Sequence, residues 1–390
     1  MRFRVPQRFR RSAIGLDYGA TTFRAAQLQR RGPLWIASRL VQSEHSPSES
    51  TPTNEEGAKE DSFFERLQLA GFHGRKVALA LNMPDVEYVS LELPEVMLAQ
   101  DPTQTKNAIR FEMERLISNH KGAVEIRHWR LPATNVPAPN ALGAAASSSS
   151  ITKMLDTTRR LGLTCTAVDS AALAQSRFAH VLRPPQPGRV RGVLDLGHVQ
   201  SRLIVCIDNI PVLVRAVGAG GLILTQRISQ SLKLSEKASE VLKREHGITV
   251  LGQRQRVAPE GSVLPLEMLN PVAHASTPVL SRVESSPTTQ LGSTLFAAVR
   301  TDLSELASEI KRSYEYVLSC YPDRQAGDLL LVGGGAGLPH LYEFLGNALG
   351  IPVLRAEDCL QHSECRLRCV TTKNDPLDGY ATVIGLALEE

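Results

Sequence analysis

The chain has 390 residues, of which 42% are hydrophobic and 22% charged, and its formal net charge is +4. That is the make-up of a globular protein with room for two cored domains, and the small charge excludes a broad basic face for nucleic acid. It contains no apolar run of the roughly 18 residues needed to cross a bilayer, and its six scattered cysteines exclude a secreted disulfide scaffold and favour a reducing compartment.

Residues 1–12 carry Arg2, Arg4, Arg8, Arg10 and Arg11 with no apolar segment behind them at signal-peptide spacing, so they read as a basic flexible arm. The sharper alternative is an electrostatic contact with anionic lipid. Residues 13–40 form three strands, 43–60 a Ser/Pro/Thr/Glu-rich loop, and 62–69 a short helix. A buried strand at 77–81 and an alternating one at 88–93 precede a charged amphipathic helix at 105–117. On that helix Phe111 and Leu116 are core residues or the floor of a peptide groove. Strands at 123–131 and 141–146, a helix at 152–161 and a strand at 164–168 follow. Asp169 is expected to cap a helix over 170–182, and the three prolines of 183–188 mark a hinge between halves. The second half opens with three more strands, then helices at 222–232 and 235–246. Residues 257–290 read as an unstructured insertion and 295–320 as a long amphipathic helix. A buried strand at 329–332, a helix at 340–349, a strand at 352–354 and a closing helix at 381–388 complete the chain.

One pattern occurs twice. Gly15-Leu16-Asp17-Tyr18-Gly19 and Val193-Leu194-Asp195-Leu196-Gly197 each end an apolar strand in Asp-x-Gly, then turn into a second and a third strand. Two such hairpins facing each other make an anion clamp. Glycine admits the backbone to close range, turn amides point at the anion, and an aspartate at each strand end suits magnesium through water. A third glycine-rich turn, Gly333-Gly334-Gly335-Ala336, follows the buried strand Leu329-Leu330-Leu331-Val332.

With these three motifs in this order the chain resembles the actin, Hsp70 and sugar-kinase superfamily. Within it the chain resembles the PilM family of type IV pilus assembly. The narrower likeness rests on Asn107-Ala108-Ile109-Arg110-Phe111-Glu112-Met113-Glu114-Arg115, on Gly143-Ala144-Ala145-Ala146, and on Leu161-Gly162-Leu163-Thr164 with Val168-Asp169. It also rests on Gly220-Gly221, Ser239-Glu240-Val241-Leu242-Lys243 and Glu309-Ile310-Lys311-Arg312-Ser313-Tyr314-Glu315-Tyr316. The resemblance implies an α/β, duplicated actin-like ATPase (ribonuclease H-like) fold, with two lobes around a nucleotide cleft and an inserted 1C-type subdomain. Residues 13–83 plus 164–186 would be the first lobe, 84–163 the insertion and 187–224 plus 295–390 the second lobe. Residues 225–294 would form a further subdomain carrying the 257–290 insertion.

The resemblance also implies the ligands, ATP and Mg2+. Asp17 and Asp195 would hold the magnesium, and Gly19, Ala20, Thr21, Thr22, Gly197 and Ser201 the phosphates. Arg24 stands where relatives carry lysine, a planar fork in place of a point charge. Gly220, Gly221, Glu240 and Lys243 would face the ribose and base, with Gly333, Gly334, Gly335, Ala336 and Leu338 against the adenosine. The second turn, His198-Val199-Gln200-Ser201-Arg202, replaces a small hydroxyl-rich one, so it narrows the site or adds positive charge to it. Asp169 is the one candidate catalytic residue, in competition with a plain helix cap; no other residue stands out as a general base.

The implied partner is the N-terminal cytoplasmic tail of a PilN-like inner-membrane protein, bound near Phe111 and Glu114 at the cytoplasmic face of the inner membrane, beside other pilus or secretion platform components. The chain itself would carry no transmembrane segment, only peripheral association. Three alternatives remain. A small-molecule kinase of the same superfamily needs an acceptor pocket that is not identifiable here. A nucleotide-free scaffold is compatible with the odd second turn. A division filament resembling FtsA would carry an amphipathic membrane helix, whereas Leu388-Glu389-Glu390 still reads as part of the fold. Cys359, His362, Cys365 and Cys369 lie close together, but not at a paired-cysteine zinc spacing.

Overall fold

In the computed structural model the described residues are 10–19, 22–44, 67–94, 102–117, 122–249, 287–370 and 376–388. All but the first two residues of the expected 43–60 loop lie outside them, as do the first part of the 62–69 helix, Ala20, Thr21 and most of the arm and of the insertion; Ser43 and Glu44 are strand, not loop. The first half runs β1 (Arg10–Tyr18), β2 (Thr22–Arg31), β3 (Leu34–Glu44), β4 (Lys76–Leu81), β5 (Val86–Leu91), α1 (Pro102–Leu116), β6 (Val124–Arg130), β7 (Ala141–Ser147), α2 (Ser148–Arg160), β8 (Thr164–Ser170) and α3 (Ala171–Leu182). The second runs β9 (Arg189–Leu196), β10 (Gln200–Ile207), β11 (Ile210–Ala219), α4 (Gly221–Leu232), α5 (Glu236–His246), α6 (Pro287–Cys320), β12 (Gln325–Val332), α7 (Leu341–Leu349), β13 (Val353–Arg355), α8 (Ala356–Leu360), β14 (Leu367–Cys369) and α9 (Ala381–Ala387).

The repeat seen in the sequence is a repeat of topology. A six-stranded sheet has the order β14-β3-β2-β1-β4-β8 and a five-stranded sheet the order β11-β10-β9-β12-β13. In each an antiparallel meander (β1–β3, β9–β11) receives two parallel strands on the side of its first member. The strands β9 and β10 are apolar almost throughout because both faces of that sheet are covered. The helix α3 lies between the two sheets with Phe178 and Leu182 fully buried. Beside it α9 packs on β1 so closely that a Cβ at Gly15 would stand 2.0 Å from the Val383 carbonyl oxygen.

The inserted region forms its own three-stranded antiparallel sheet, β5-β7-β6. Ile109 and Met113 of α1 bury against Leu91, Val124, Ile126 and Ala145 on one face. The other face meets both lobes. Tyr88 shares a hydrogen bond with Ser170, Trp129 Nε1 donates to the Pro211 carbonyl at 2.8 Å, and Thr134 Oγ1 donates to that of Cys320 at 2.7 Å.

Several expectations change. Arg10 and Arg11 are not arm but strand, paired with Arg30 and Gln29, because β2 runs long enough to template them. The long helix starts at Pro287, inside the expected insertion; a proline at a first helical position loses nothing, since its missing N–H has no partner there anyway. Ser170, not Asp169, caps α3: its Oγ accepts from Leu173 N at 3.2 Å, while β8 extends through Asp169. The glycine-rich turn enters a 3-10 turn at Gly334–Gly337 rather than an α-helix. The strands of β14 and the short helix α8 were not anticipated.

Candidate functional site

The two Asp-x-Gly strand ends and the glycine-rich turn converge. The end of β1 lies beside that of β4, since Leu16 pairs in parallel with Leu79. Asn82, just past β4, therefore reaches Asp17 and donates from Nδ2 to Oδ1 at 3.0 Å. Burial pushes the Asp17 carboxyl up from its ordinary value, opposed by that hydrogen bond and by Arg24, and pushed further by the charge of Asp195. The turn amide of Gly19 is returned to the Thr22 carbonyl at 2.9 Å.

Asp195 is closely held. Its Oδ2 accepts from Arg202 Nη2 at 2.6 Å and from Gln175 Nε2 at 2.8 Å. Gln175 Nε2 also meets Thr382 Oγ1 at 3.0 Å, which ties the site to α3 and α9. On the other side Gly333, at φ +90°, presses on Asp195: a Cβ there would stand 2.2 Å from Oδ1. Only a residue without a side chain lets this turn close on the strand end.

Arg24 crosses the cleft from the first hairpin. Its Nε donates to Gln42 Oε1 at 2.7 Å, and its Nη2 would lie 3.4 Å from a Cβ on Gly334. The turn behind Gly334 is anchored by Asp378, whose carbonyl accepts from Gly333 N at 2.9 Å and whose Oδ1 accepts from Ala356 N at 2.7 Å. Burial pushes the Asp378 carboxyl up to about 6. Ala336 and Leu338 are core residues under the same turn.

A second cluster surrounds the other hairpin turn. Gly220 packs so tightly on it that a Cβ would stand 2.4 Å from the Val199 carbonyl carbon. The first amides of α4, Gly221 N and Leu222 N, donate to the carbonyls of Gly197 and His198 at 2.9 and 2.8 Å. Lys243 Nζ donates to Gly221 O, Thr225 Oγ1 and Glu240 Oε2 at 2.9, 2.7 and 2.6 Å. Burial alone would raise the Glu240 carboxyl, but the hydrogen bonds from Lys243, Thr225 and Arg244 hold it at about 2. Ser201 is fully buried and spends its hydroxyl on Ala219 O at 2.7 Å.

Of the expected site residues, Asp17, Arg24, Asp195 and Gly333 to Gly335 share one cleft; Gly197, Gly220, Gly221, Glu240 and Lys243 share its second-hairpin end. The Ser201 hydroxyl faces β11 rather than the turn. Asp169 is ion-paired with Arg177, which also donates from Nε to Gly385 O at 3.0 Å. Phe111 is 70% exposed on α1, with Glu114 paired to Arg110 one turn back at 3.5 Å. Asn82, Gln175 and Thr382 were missed. A lone glutamine at a core position of an alanine-rich helix was the available signal for Gln175.

The donor set does not suit a magnesium ion. Asp195 Oδ2 is engaged by Arg202 and Gln175, the Gly333 turn packs against Oδ1, and Asp17 Oδ1 already carries Asn82. Among the described residues no group of three or more His, Cys, Asp or Glu side chains is placed to hold a metal. Cys359, Cys365 and Cys369 are free thiols, and burial pushes Cys359 and Cys369 to about 11.

No protein-family model and no curated protein matches the chain. Solved structures do. A chain of the PilM-PilN type IV pilus biogenesis complex is 21% identical with a TM-score of 0.64, over 97% of this chain and 98% of that one. The ethanolamine utilization protein EutJ from Carboxydothermus hydrogenoformans is 12% identical with a TM-score of 0.49, over 98% and 91%. MreB 5 of Spiroplasma citri bound to AMPPNP is 11% identical with a TM-score of 0.42, over 95% and 93%. The fold assignment rests on the first. The chain is PilM-like in fold, a two-lobed actin-like α/β protein, as its duplicated sheets require.

Proposed function

We propose that this protein is a nucleotide-binding scaffold of a pilus or related secretion platform, which holds an extended cytoplasmic segment of a membrane-anchored partner. The observation that carries it is the meeting of both Asp-x-Gly strand ends, Arg24 and the bare backbone of Gly333 to Gly335 at one cleft between the lobes. Glycine backbone, turn amides and a cation are what a nucleoside polyphosphate needs. The likeness of fold to a chain of a PilM-PilN complex supports the partner class. Among the described residues no helix is long and apolar enough to cross a membrane. The magnesium expected at Asp17 and Asp195 fits this donor set poorly, and no role is given to it.

The partner's place is the inserted subdomain, where Phe111, Leu116 and Glu114 stand out on α1. Its sheet also reaches the cleft. Tyr88 on β5 meets Ser170, the cap of α3, and Gln175 on the same helix meets Asp195. That run of contacts offers a physical route by which nucleotide state alters partner affinity. Fluorescence anisotropy with a labelled N-terminal cytoplasmic peptide of a membrane protein encoded beside this one, with and without ATP, tests the reading. Binding that depends on Phe111 is expected; no binding under either condition ends the partner assignment.

A further inference from the structure

The repeat places an arginine opposite each cleft aspartate. Arg24 is the direct cross-strand partner of Asp17 in β1–β2, and Arg202 that of Asp195 in β9–β10, at the same sequence separation. Directly opposed residues on one face of an antiparallel pair hold their Cβ atoms about 5 Å apart, so the ladder itself fixes each pairing. In the second hairpin the pair is closed. Arg202 and Asp195 are 8% and 17% exposed, with Nη2 and Oδ2 2.6 Å apart, and Arg202 Nη2 also reaches Gln175 Oε1 at 3.3 Å. In the first hairpin the arginine is turned outward to Gln42 and Gly334 instead.

We propose that the nucleotide binds here without a protein-held divalent cation, with Arg24 meeting its phosphates and Arg202 holding Asp195 in place of an ion. This rests on the nucleotide-binding reading above. A dication at Asp195 would have to displace a buried guanidinium fixed in register, or sit against it and be repelled. The guanidinium already occupies the place beside Asp195 Oδ2 that an ion would take. Arg24 complements it from the opposite hairpin, beside the exposed Gly334.

The test compares the affinity of the full chain for ATP and for ADP in excess magnesium and in excess EDTA by isothermal titration calorimetry, for wild type, Arg202→Lys and Arg202→Ser. Wild type is expected to bind within about twofold in the two media, or more tightly in EDTA. Arg202→Lys keeps that indifference, because it keeps the charge. Arg202→Ser releases Asp195 and makes binding at least about tenfold tighter with magnesium. Wild-type binding weakened about tenfold or more by EDTA overturns the inference and leaves the nucleotide reading standing. Indifference retained in Arg202→Ser also overturns it, since Arg202 is then not the substitute. No binding in either medium overturns the nucleotide reading together with this inference. The wild-type comparison decides even if Arg202→Ser fails to fold.

Discussion

Arg202 donates to Asp195 across the β9–β10 ladder, Nη2 to Oδ2 at 2.6 Å, and both side chains are largely buried. Breaking such a pair from one side strands a charge, whereas replacing both partners with apolar groups of similar volume is far milder. Arg202→Ala is expected to cost on the order of 3 kcal/mol in urea unfolding, and Arg202→Met with Asp195→Leu much less. Equal losses in the single and double variants would show the pair to be energetically unimportant.

The glycine-rich turn separates fold from ligand at adjacent residues. Gly333→Ala meets Asp195 Oδ1 and a φ of +90°, and is expected to destabilise by about 2 kcal/mol or more. Gly334→Ala meets only the mobile tip of Arg24 at 3.4 Å, so its unfolding free energy stays within about 0.5 kcal/mol of wild type. Gly334→Asp puts a carboxylate beside Arg24. It should abolish the thermal shift caused by ATP while the ligand-free Tm holds.

Two carboxyls set opposite pH slopes. Asp378 is raised in the folded state to about 6, so its contribution is full below its ordinary 3.8 and is lost as pH rises through 6. Unfolding free energy should therefore fall by about 2 kcal/mol from pH 4 to pH 7 through this group, and Asp378→Asn should flatten that slope. Glu240 is held down at about 2, so its contribution is present above 4.5 and fades as pH falls through 2. Urea titrations from pH 3 to pH 8 on wild type and the two amide variants would separate them.

On α1 the exposed and buried faces predict opposite outcomes. Phe111→Ser should weaken a bound partner peptide by at least about tenfold and leave Tm unchanged, because the ring is 70% exposed. Met113→Ala should cost about 2 to 5 kcal/mol of stability, because Met113 is fully buried under β7. A Phe111→Ser variant that binds normally would move the partner elsewhere.

The cleft was legible where backbone requirements speak through residue type. Asp-x-Gly at two strand ends and three successive glycines fixed where the chain must come close to itself. Side-chain direction was not legible. Whether Arg202 meets Asp195 depends on the register across the Gly197–Gln200 turn, and slipping by one residue sends it to the other face. Lys243 could be placed on one helical face with Glu240, yet not aimed at the Gly221 carbonyl, because that contact is set by the packing of α4 on α5. Asp169 and Ser170 are both good caps, and the extra length of β8 decided between them. The strand β14, Leu367–Cys369, is too short for any periodicity to register.

That short strand has a consequence for biosynthesis. It pairs with β3, and α9 settles onto β1, so the amino-terminal sheet stays incomplete until residues 367–387 have left the ribosome. Contacts so distant along the chain slow folding and leave hydrophobic edges uncovered meanwhile. The nascent polypeptide should therefore need chaperone shelter through nearly all of its translation, and cutting within residues 183–188 should yield fragments that fold only when mixed.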